Sequence, residues 1–473
     1  MASDTELTLH PDRLFPAEQA QRKVARAIFA EIEHLPLISP HGHLDAGLFV
    51  RDEPFRDPAQ LLVTSDHYVV RLLHAQGVPL ADLGLAAQAE GPSANGREVW
   101  RQLCAHWGAL AGTPSRLWLE HELFELCDLR QVPSPANAER TYDQLVARLA
   151  ENDLRPRALY ERFGLEVLTT TDSPLDDLSL HQALQDDPTW KGRLLPNFRP
   201  DAVVDPGNAN FRKNLARLAE ISGEDTTTYS GYLAAIHKRR EAFRSAGATA
   251  SDHGVPVATT ERLSQREATA TYARLSKGEG SPAEVEAFRG HMLDELARMA
   301  ADDGMVMQLH IGVVRDYDPA TAQAFGPDIG QDFPYAVEFT KTLRPLLSRY
   351  GNADGFRLVL YTVDETTFSR EIGPLVSYFP SLFAGAPWWF LDAPDAMSRA
   401  FTALGETAGI SKLAGFVDDT RSLFGIGARH DVARRACAAY LARLVCEHRL
   451  SEKEATKLAV GYAYDTPKRL FKL

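Results

Sequence analysis

Cysteine is scarce in this 473-residue sequence: Cys104, Cys127, Cys437 and Cys446 are the only four, and no two form a CxxC pair. They are too few for a disulfide scaffold. Long apolar runs are missing as well. None reaches the roughly 18 residues of a membrane span, and Met1–Phe15 contains no signal-peptide core. Basic charge is not in excess, since 51 Lys and Arg stand against 64 Asp and Glu, for a net charge of −13. A nucleic-acid or anionic-membrane binder needs a basic face, so both classes are disfavoured. A small anionic substrate needs only one or two local arginines and stays open. Internal repeats and low-complexity tracts are absent too. What remains is 44% hydrophobic and 24% charged residues with a mean hydropathy of −0.25. That profile suits a cytoplasmic, soluble enzyme of two or three ordinary domains, or one large barrel with insertions.

Periodicity sets the order of elements. Val24, Ile28, Ile32 and Leu35 recur at helical spacing between Ala17 and Leu35 and predict a first helix. Residues 52–162 read as mainly helical, most clearly over Arg97–Leu110 and Leu117–Leu126. Short apolar runs then alternate with helical stretches. The runs are Leu165–Thr171, Leu194–Phe198, Val255–Thr259, Met305–Ile311, Phe356–Thr362, Trp388–Leu391 and Leu413–Val417. With Leu37–His41 they make eight predicted strands, the number in a (β/α)8 TIM barrel. An open doubly wound sheet is compatible with the same alternation. Three regions follow: residues 1–51 with the first helix and strand, a helical insertion over 52–162, and the remaining barrel over 163–473. The third carries a smaller helical insertion near 212–250, in which Lys238-Arg239-Arg240 reads as a solvated face. Val432, Ala436, Tyr440 and Leu444 form a late helical stripe, and Ser451 with Glu454 makes a capping box.

Two segments carry chemistry. In a strand, residues i and i+2 share a face, so His41 and His43 direct two imidazoles to one point, with Gly42 allowing close backbone packing. At the carboxyl end of a first barrel strand they would lie where barrel active sites are built. Neutral imidazoles suit zinc or another borderline divalent ion, with a carboxylate as the usual third ligand. Alone, an HxH pair is as easily coincidence. The second segment is Gly415–Ser422, an apolar run that empties into Asp418, Asp419, Thr420 and Arg421. Alternation places Asp419 and Arg421 on one face. Asp419 is the expected metal ligand or general base, and Arg421 the expected grip on an anion. The blander reading is an Asp-capped helix start with a surface arginine.

The chain resembles the uronate isomerases (glucuronate isomerases), a branch of the amidohydrolase superfamily. The similarity runs through Leu9–Pro16, Pro40–Leu44, Ser65–Arg71, Thr170–Asp172, Pro196–Asp201, Ser251–Gly254, Leu309–Gly312, Trp388–Phe390, Asp419–Ser422 and Arg429–Asp431. It departs from the usual pattern at Ser173, Asp316 and around Gly326–Phe333. The resemblance implies a distorted (β/α)8 barrel with a helical insertion after the first strand. It also implies one divalent ion, commonly zinc, on His41, His43 and Asp419. The implied reaction is reversible conversion of D-glucuronate to D-fructuronate and of D-galacturonate to D-tagaturonate. By the same resemblance Tyr68, Arg199 and Arg421 belong to the substrate site, with His67 beside Tyr68 and His310 at the mouth. A small-molecule uronate is then the partner. A homo-oligomer is compatible with the family, although no interface is legible.

Aldose–ketose interconversion removes a carbon-bound proton beside a carbonyl and passes through an enediol, so it needs a base and a stabilised oxyanion. Tyr68 or Asp419 is expected to shuttle the C2 proton, with Arg421 on the enediolate and Arg199 on the C6 carboxylate. A tyrosine base requires a lowered pKa, which an adjacent arginine and metal can supply. His67 is either a reactant or a hydrogen-bonding support, and His253 either faces the site or does not. His310 is a fourth ligand, a substrate contact or a core histidine. Trp388 is a sugar platform or a core aromatic; His74, His106 and His121 read as structural. A metal-dependent hydrolase of the same superfamily is the competing enzyme, and a non-catalytic uronate-binding protein the competing non-enzyme. Such hydrolases usually add a carbamylated lysine and further histidines, and no lysine is suitably placed in the middle strands.

Overall fold

The computed structural model of the protein describes residues 5–86 and 94–473. Residues 1–4 of the amino-terminal segment and 87–93 of the helical stretch lie outside the described residues. In chain order the strands are β1 (Leu37–Ser39), β2 (Leu165–Thr169), β3 (Leu194–Leu195), β4 (Ala250–Val255), β5 (Val306–Ile311), β6 (Val313–Val314), β7 (Phe333–Pro334), β8 (Leu358–Thr362) and β9 (Leu382–Ala384). One parallel sheet runs β1-β2-β3 and another β4-β5-β8-β9, while β6 and β7 form a small antiparallel pair. Parallel bridges extend these sheets. Phe198 pairs with Asp172 on one side and Ser251 on the other, and Ala384 pairs with Leu413. Past Leu413 the chain returns to the end of β1, where the His43 N–H donates to the Thr420 carbonyl at 3.0 Å. The fold is therefore α/β with parallel sheets.

Burial follows from that topology. Every residue of β5 and β8 is buried, because helices cover parallel sheets on both faces. The first helix spans Gln19–Ile32, begins where the Glu18 carboxylate accepts the Ala20 and Gln21 N–H groups, and buries Ala25, Ile28, Phe29 and Ile32. It packs against the long helix Gly425–Cys446. Between β1 and β2 every described element is helical, and it has its own core, with Trp100 fully buried and its indole donating to Thr141 Oγ1 at 3.0 Å. The Ser451–Glu454 capping box is present. No helix among the described residues is long and apolar enough to cross a membrane.

Four sequence expectations need correction. The fourth strand is Ala250–Val255 rather than Val255–Thr259. Its residues Ser251, Asp252 and His253 are polar because they serve buried contacts, so a search for apolar runs passes over it. Trp388–Leu391 is no strand but a single turn over Trp389–Leu391; the strand lies upstream at β9, only three residues long. Of Leu413–Val417 only Leu413 bridges, since Gly415 (φ 95°) turns the chain against the Pro467 ring. Lys238 is exposed, but Arg239 and Arg240 are buried, Arg240 in a bidentate contact with Asp303 at 2.9 and 3.1 Å.

Candidate active site

A cleft of about 500 Å³ opens at the carboxyl ends of the parallel segments. Most of the segments deliver a side chain there: His41 and His43 after β1, Thr171 after β2, Arg199 past β3, Val255 at the end of β4, His310 on β5, and Trp388 and Asp419 from the last two connections. His67, Arg315 and Arg421 complete the mouth.

The two histidines and Asp419 converge, although β1 ends at Ser39 and the histidines lie in the loop after it rather than in a strand. His41 Nε2 lies 3.2 Å and His43 Nε2 3.0 Å from Asp419 Oδ1. The three donor atoms form one group able to hold a metal ion. Separations of this size suit a small divalent ion with each donor at about 2.0–2.2 Å. Burial pushes the Asp419 carboxyl up, yet the hydrogen bonds and charges of His41 and His43 hold it well below the usual range. Its second oxygen, Oδ2, accepts the Trp388 indole N–H at 2.6 Å, which fixes the carboxylate plane. The local backbone differs from the expectation. Residues after Leu413 form no strand, and Asp419 itself sits at φ 44°, so a turn rather than alternation separates Asp419 from Asp418. Gly42 is not required by close packing, because an added Cβ would meet only ordinary contacts at 3.5 Å or more.

Asp252 is the residue that sequence reading missed. With the strand at Ala250–Val255, alternation sends Ser251 and His253 to one face, where His253 Nε2 meets Ser251 Oγ at 3.0 Å, and Asp252 to the other. His253 does not line the cleft. Asp252 is fully buried; its Oδ1 accepts from His310 Nδ1 at 2.7 Å and its Oδ2 from Arg199 Nη1 at 2.9 Å. Burial would raise its pKa, but Arg199, His310 and His41 together hold it well below the carboxylate range. Because Nδ1 carries the proton, His310 Nε2 is left a buried lone pair without a protein partner. Burial brings His310 down to about 4, so it is neutral. His41, Asp252 and His310 form a second group able to hold a metal ion.

Arg199 lines the cleft with its charge already divided, since its Nε also donates to Asp201 Oδ2 at 2.8 Å. Arg421 is freer. It is about one-third exposed and meets one carboxylate, Asp328, at 3.2 Å. Arg315 contacts the same Asp328 at 3.2 Å and Asp332 at 2.8 Å, while lying 4.7 Å over the Trp389 ring. His67 faces this mouth and is neutral, its pKa brought down to about 3 by burial and then by Arg421 and Arg429.

Tyr68 differs most from expectation. It is the second residue of the helix His67–His74, is 8% exposed, and borders two crevices of about 20 Å³ beside the cleft rather than the cleft itself. Its phenol is not activated: burial raises the pKa, and the nearby Arg429 does not reverse that. Behind it lies a group of buried Glu122, Asp392 and Arg429 with half-buried Asp66. Glu122 is pushed up to about 8 by burial and by Asp66. Its folded pKa exceeds its ordinary value of 4.5, so the stabilisation is full below 4.5 and is lost as pH rises towards about 8. Across that window the loss is about 1.4 kcal/mol per pH unit. Glu122→Gln is therefore expected to flatten the fall of Tm between about pH 6 and pH 8 relative to the parent. Parallel Tm–pH curves for the two proteins would refute this.

Comparison with known proteins places this geometry in a family. The family model described as glucuronate isomerase matches residues 17–471. A uronate isomerase from Rhizorhabdus wittichii is 47% identical over 470 residues, covering 99% of each chain. A crystal structure of glucuronate isomerase from Caulobacter crescentus superposes with a TM-score of 0.97 at 42% identity, covering 99% of this chain and 98% of that one. The uronate isomerase from Thermotoga maritima gives a TM-score of 0.91 at 29% identity, covering 98% and 99%.

Proposed function

Because the chain belongs to the glucuronate isomerase family, we propose that it interconverts the aldo- and keto-forms of a hexuronate by proton transfer between C2 and C1. D-glucuronate with D-fructuronate, and D-galacturonate with D-tagaturonate, are the pairs. The observation that carries the reading is the convergence of His41, His43 and Asp419 at the base of a cleft whose mouth holds arginines. The eight parallel segments, joined by bridges and by the His43–Thr420 hydrogen bond, support a distorted (β/α)8 barrel over residues 1–51 and 163–473. The helices of residues 52–162 are its insertion, and a smaller one lies near 212–250. Four free cysteines suit the reducing cytoplasm.

His41, His43 and Asp419 would hold one divalent ion, zinc by the nature of the donor set. When bound, such an ion would supply Lewis-acid polarisation of the substrate carbonyl, which acidifies the proton on the neighbouring carbon. The rest falls to the chain. Asp419, ionised and oriented by the Trp388 indole, removes the proton from C2 and returns it to C1, while O1 gains a proton and the O2 hydroxyl gives one up, so that the enediol between them collapses to the ketose. Tyr68 is a poor alternative, being off the cleft with a raised pKa. His310 Nε2 accepts from a substrate hydroxyl, since its lone pair faces no protein donor. His67 and Trp388 flank the bound sugar at the mouth and at the base. Arg421, the less committed cation, takes the substrate's anionic charge, whereas Arg199 keeps Asp252 ionised. None of the described residues lining the cleft is a lysine, which tells against the hydrolase alternative.

The test is proton NMR of the metal-loaded protein with D-glucuronate and then D-galacturonate in deuterium oxide. Ketose resonances are expected to grow in, with deuterium at C1 reporting exchange through the enediol. Unchanged spectra for both sugars would overturn the assignment.

A further inference from the structure

Arg429 and His430 occupy the second turn of the helix Gly425–Cys446 and are buried, 4% and 5% exposed. Neither lines the cleft, so neither is placed to touch a substrate. Yet two supports of Asp419, the main chain before it and the Trp388 indole on its Oδ2, lead back to them. Arg429 Nη1 donates to the Asp418 carbonyl at 3.0 Å, and His430 Nε2 meets Asp418 Oδ2 at 3.2 Å. Asp418 is thus held at both its main chain and its side chain, immediately before the φ 44° turn that aims Asp419. The same Arg429 Nη1 reaches Asp392 Oδ2 at 3.1 Å. Asp392 closes the Trp389–Leu391 turn, directly after Trp388, whose indole orients Asp419 Oδ2. The guanidinium is wedged between aromatic faces, 4.0 Å from the Trp118 ring centre and 5.2 Å from that of Tyr68. One cation therefore ties together the two independent supports of a single carboxylate.

We propose that Arg429, seconded by His430, is a positioning residue that sets the direction of the Asp419 carboxylate, and through it both the affinity for the divalent ion and the rate of proton transfer. This rests on the isomerase reading for its kinetic half only; the metal half stands on the geometry. Both acceptors are met by the one Nη1, so arginine is distinguished from lysine here by its flat guanidinium, which packs against the Trp118 and Tyr68 rings while it donates to both.

The test uses the full chain and zinc alone, with affinity measured by competition against a chelator and turnover measured separately. Arg429→Met is expected to weaken zinc binding about 10–100-fold and to lower kcat by a similar factor. KM should stay within about twofold, as for a residue that acts only through another. Arg429→Lys should recover a minor part of both losses. Asp392→Asn, which cuts only the support on the Trp388 side, should show the same pattern more weakly and serves if Arg429→Met does not fold. Parental zinc affinity and kcat in a variant whose Tm alone has dropped would overturn the proposal, as would a raised KM at unchanged kcat. A parent chain that binds zinc tightly yet converts no uronate would sink the isomerase reading instead, leaving the zinc comparison to decide this one.

Discussion

Asp419→Asn is expected to remove turnover almost completely. The substitution keeps the volume and the acceptor for the Trp388 indole, but it removes the charge that His41 and His43 gather around. Loss of a positioned base costs about 10²–10⁴ in rate. Loss of an anionic ligand adds to this by weakening the ion. The two contributions separate experimentally. At saturating zinc, a residual kcat that stays at least about 10²-fold down measures the proton-transfer role. Recovery of full kcat on adding zinc would show Asp419 to be a ligand and nothing more, and the base would have to be sought elsewhere. Full turnover without added metal would exclude both roles. Tyr68→Phe is the companion: with a buried phenol whose pKa is raised, it should retain most of the rate that Asp419→Asn loses.

How much of this was legible beforehand depends on what each signal requires. The HxH pair needs only the direction of neighbouring residues, and its convergence on Asp419 followed, although β1 ends at Ser39 and a loop carries the histidines. Strands made of aliphatic residues, such as β5 and β8, were found within two residues of their ends. The strand that carries Asp252 was displaced, because its polar residues are paid for by buried partners that a linear sequence does not display. Arg199 and Tyr68 illustrate the same limit on chemistry. Their residue types suit an anion grip and a base, but a guanidinium shared by two aspartates and a phenol sealed beneath Arg429 are facts of tertiary packing. Arg429 itself lies in a segment noted only as part of a pattern, and its contacts join residues 37 and 11 positions away in sequence.

Arg421→Met is expected to raise KM for hexuronates about 10–100-fold, the loss of a charged hydrogen-bonding pair between guanidinium and carboxylate. Arg421→Lys should restore part of it, since a point charge keeps the attraction and loses the fork. Asp328 makes this prediction sharper. Arg421 already meets a carboxylate there, at 3.2 Å, and Arg315 meets the same one. A substrate carboxylate must therefore displace Asp328 or share the arginines with it. The pair is weak, with Arg421 34% and Asp328 41% exposed, and ion pairs of that exposure are worth about 0.2–1 kcal/mol. Displacement is thus inexpensive, and its cost sets the size of the effect. Asp328→Asn should lower KM by no more than about fivefold, the opposite direction from Arg421→Met. The segment is anchored independently of Asp328, because Gly330 packs against the His67 carbonyl and the Arg71 side chain at φ 96°, so the loop can stay in place when the aspartate changes. A raised KM in Asp328→Asn would mean instead that Asp328 holds a sugar hydroxyl. An unchanged KM in Arg421→Met would transfer the anion site to Arg199 or Arg315, the two other arginines of the cleft.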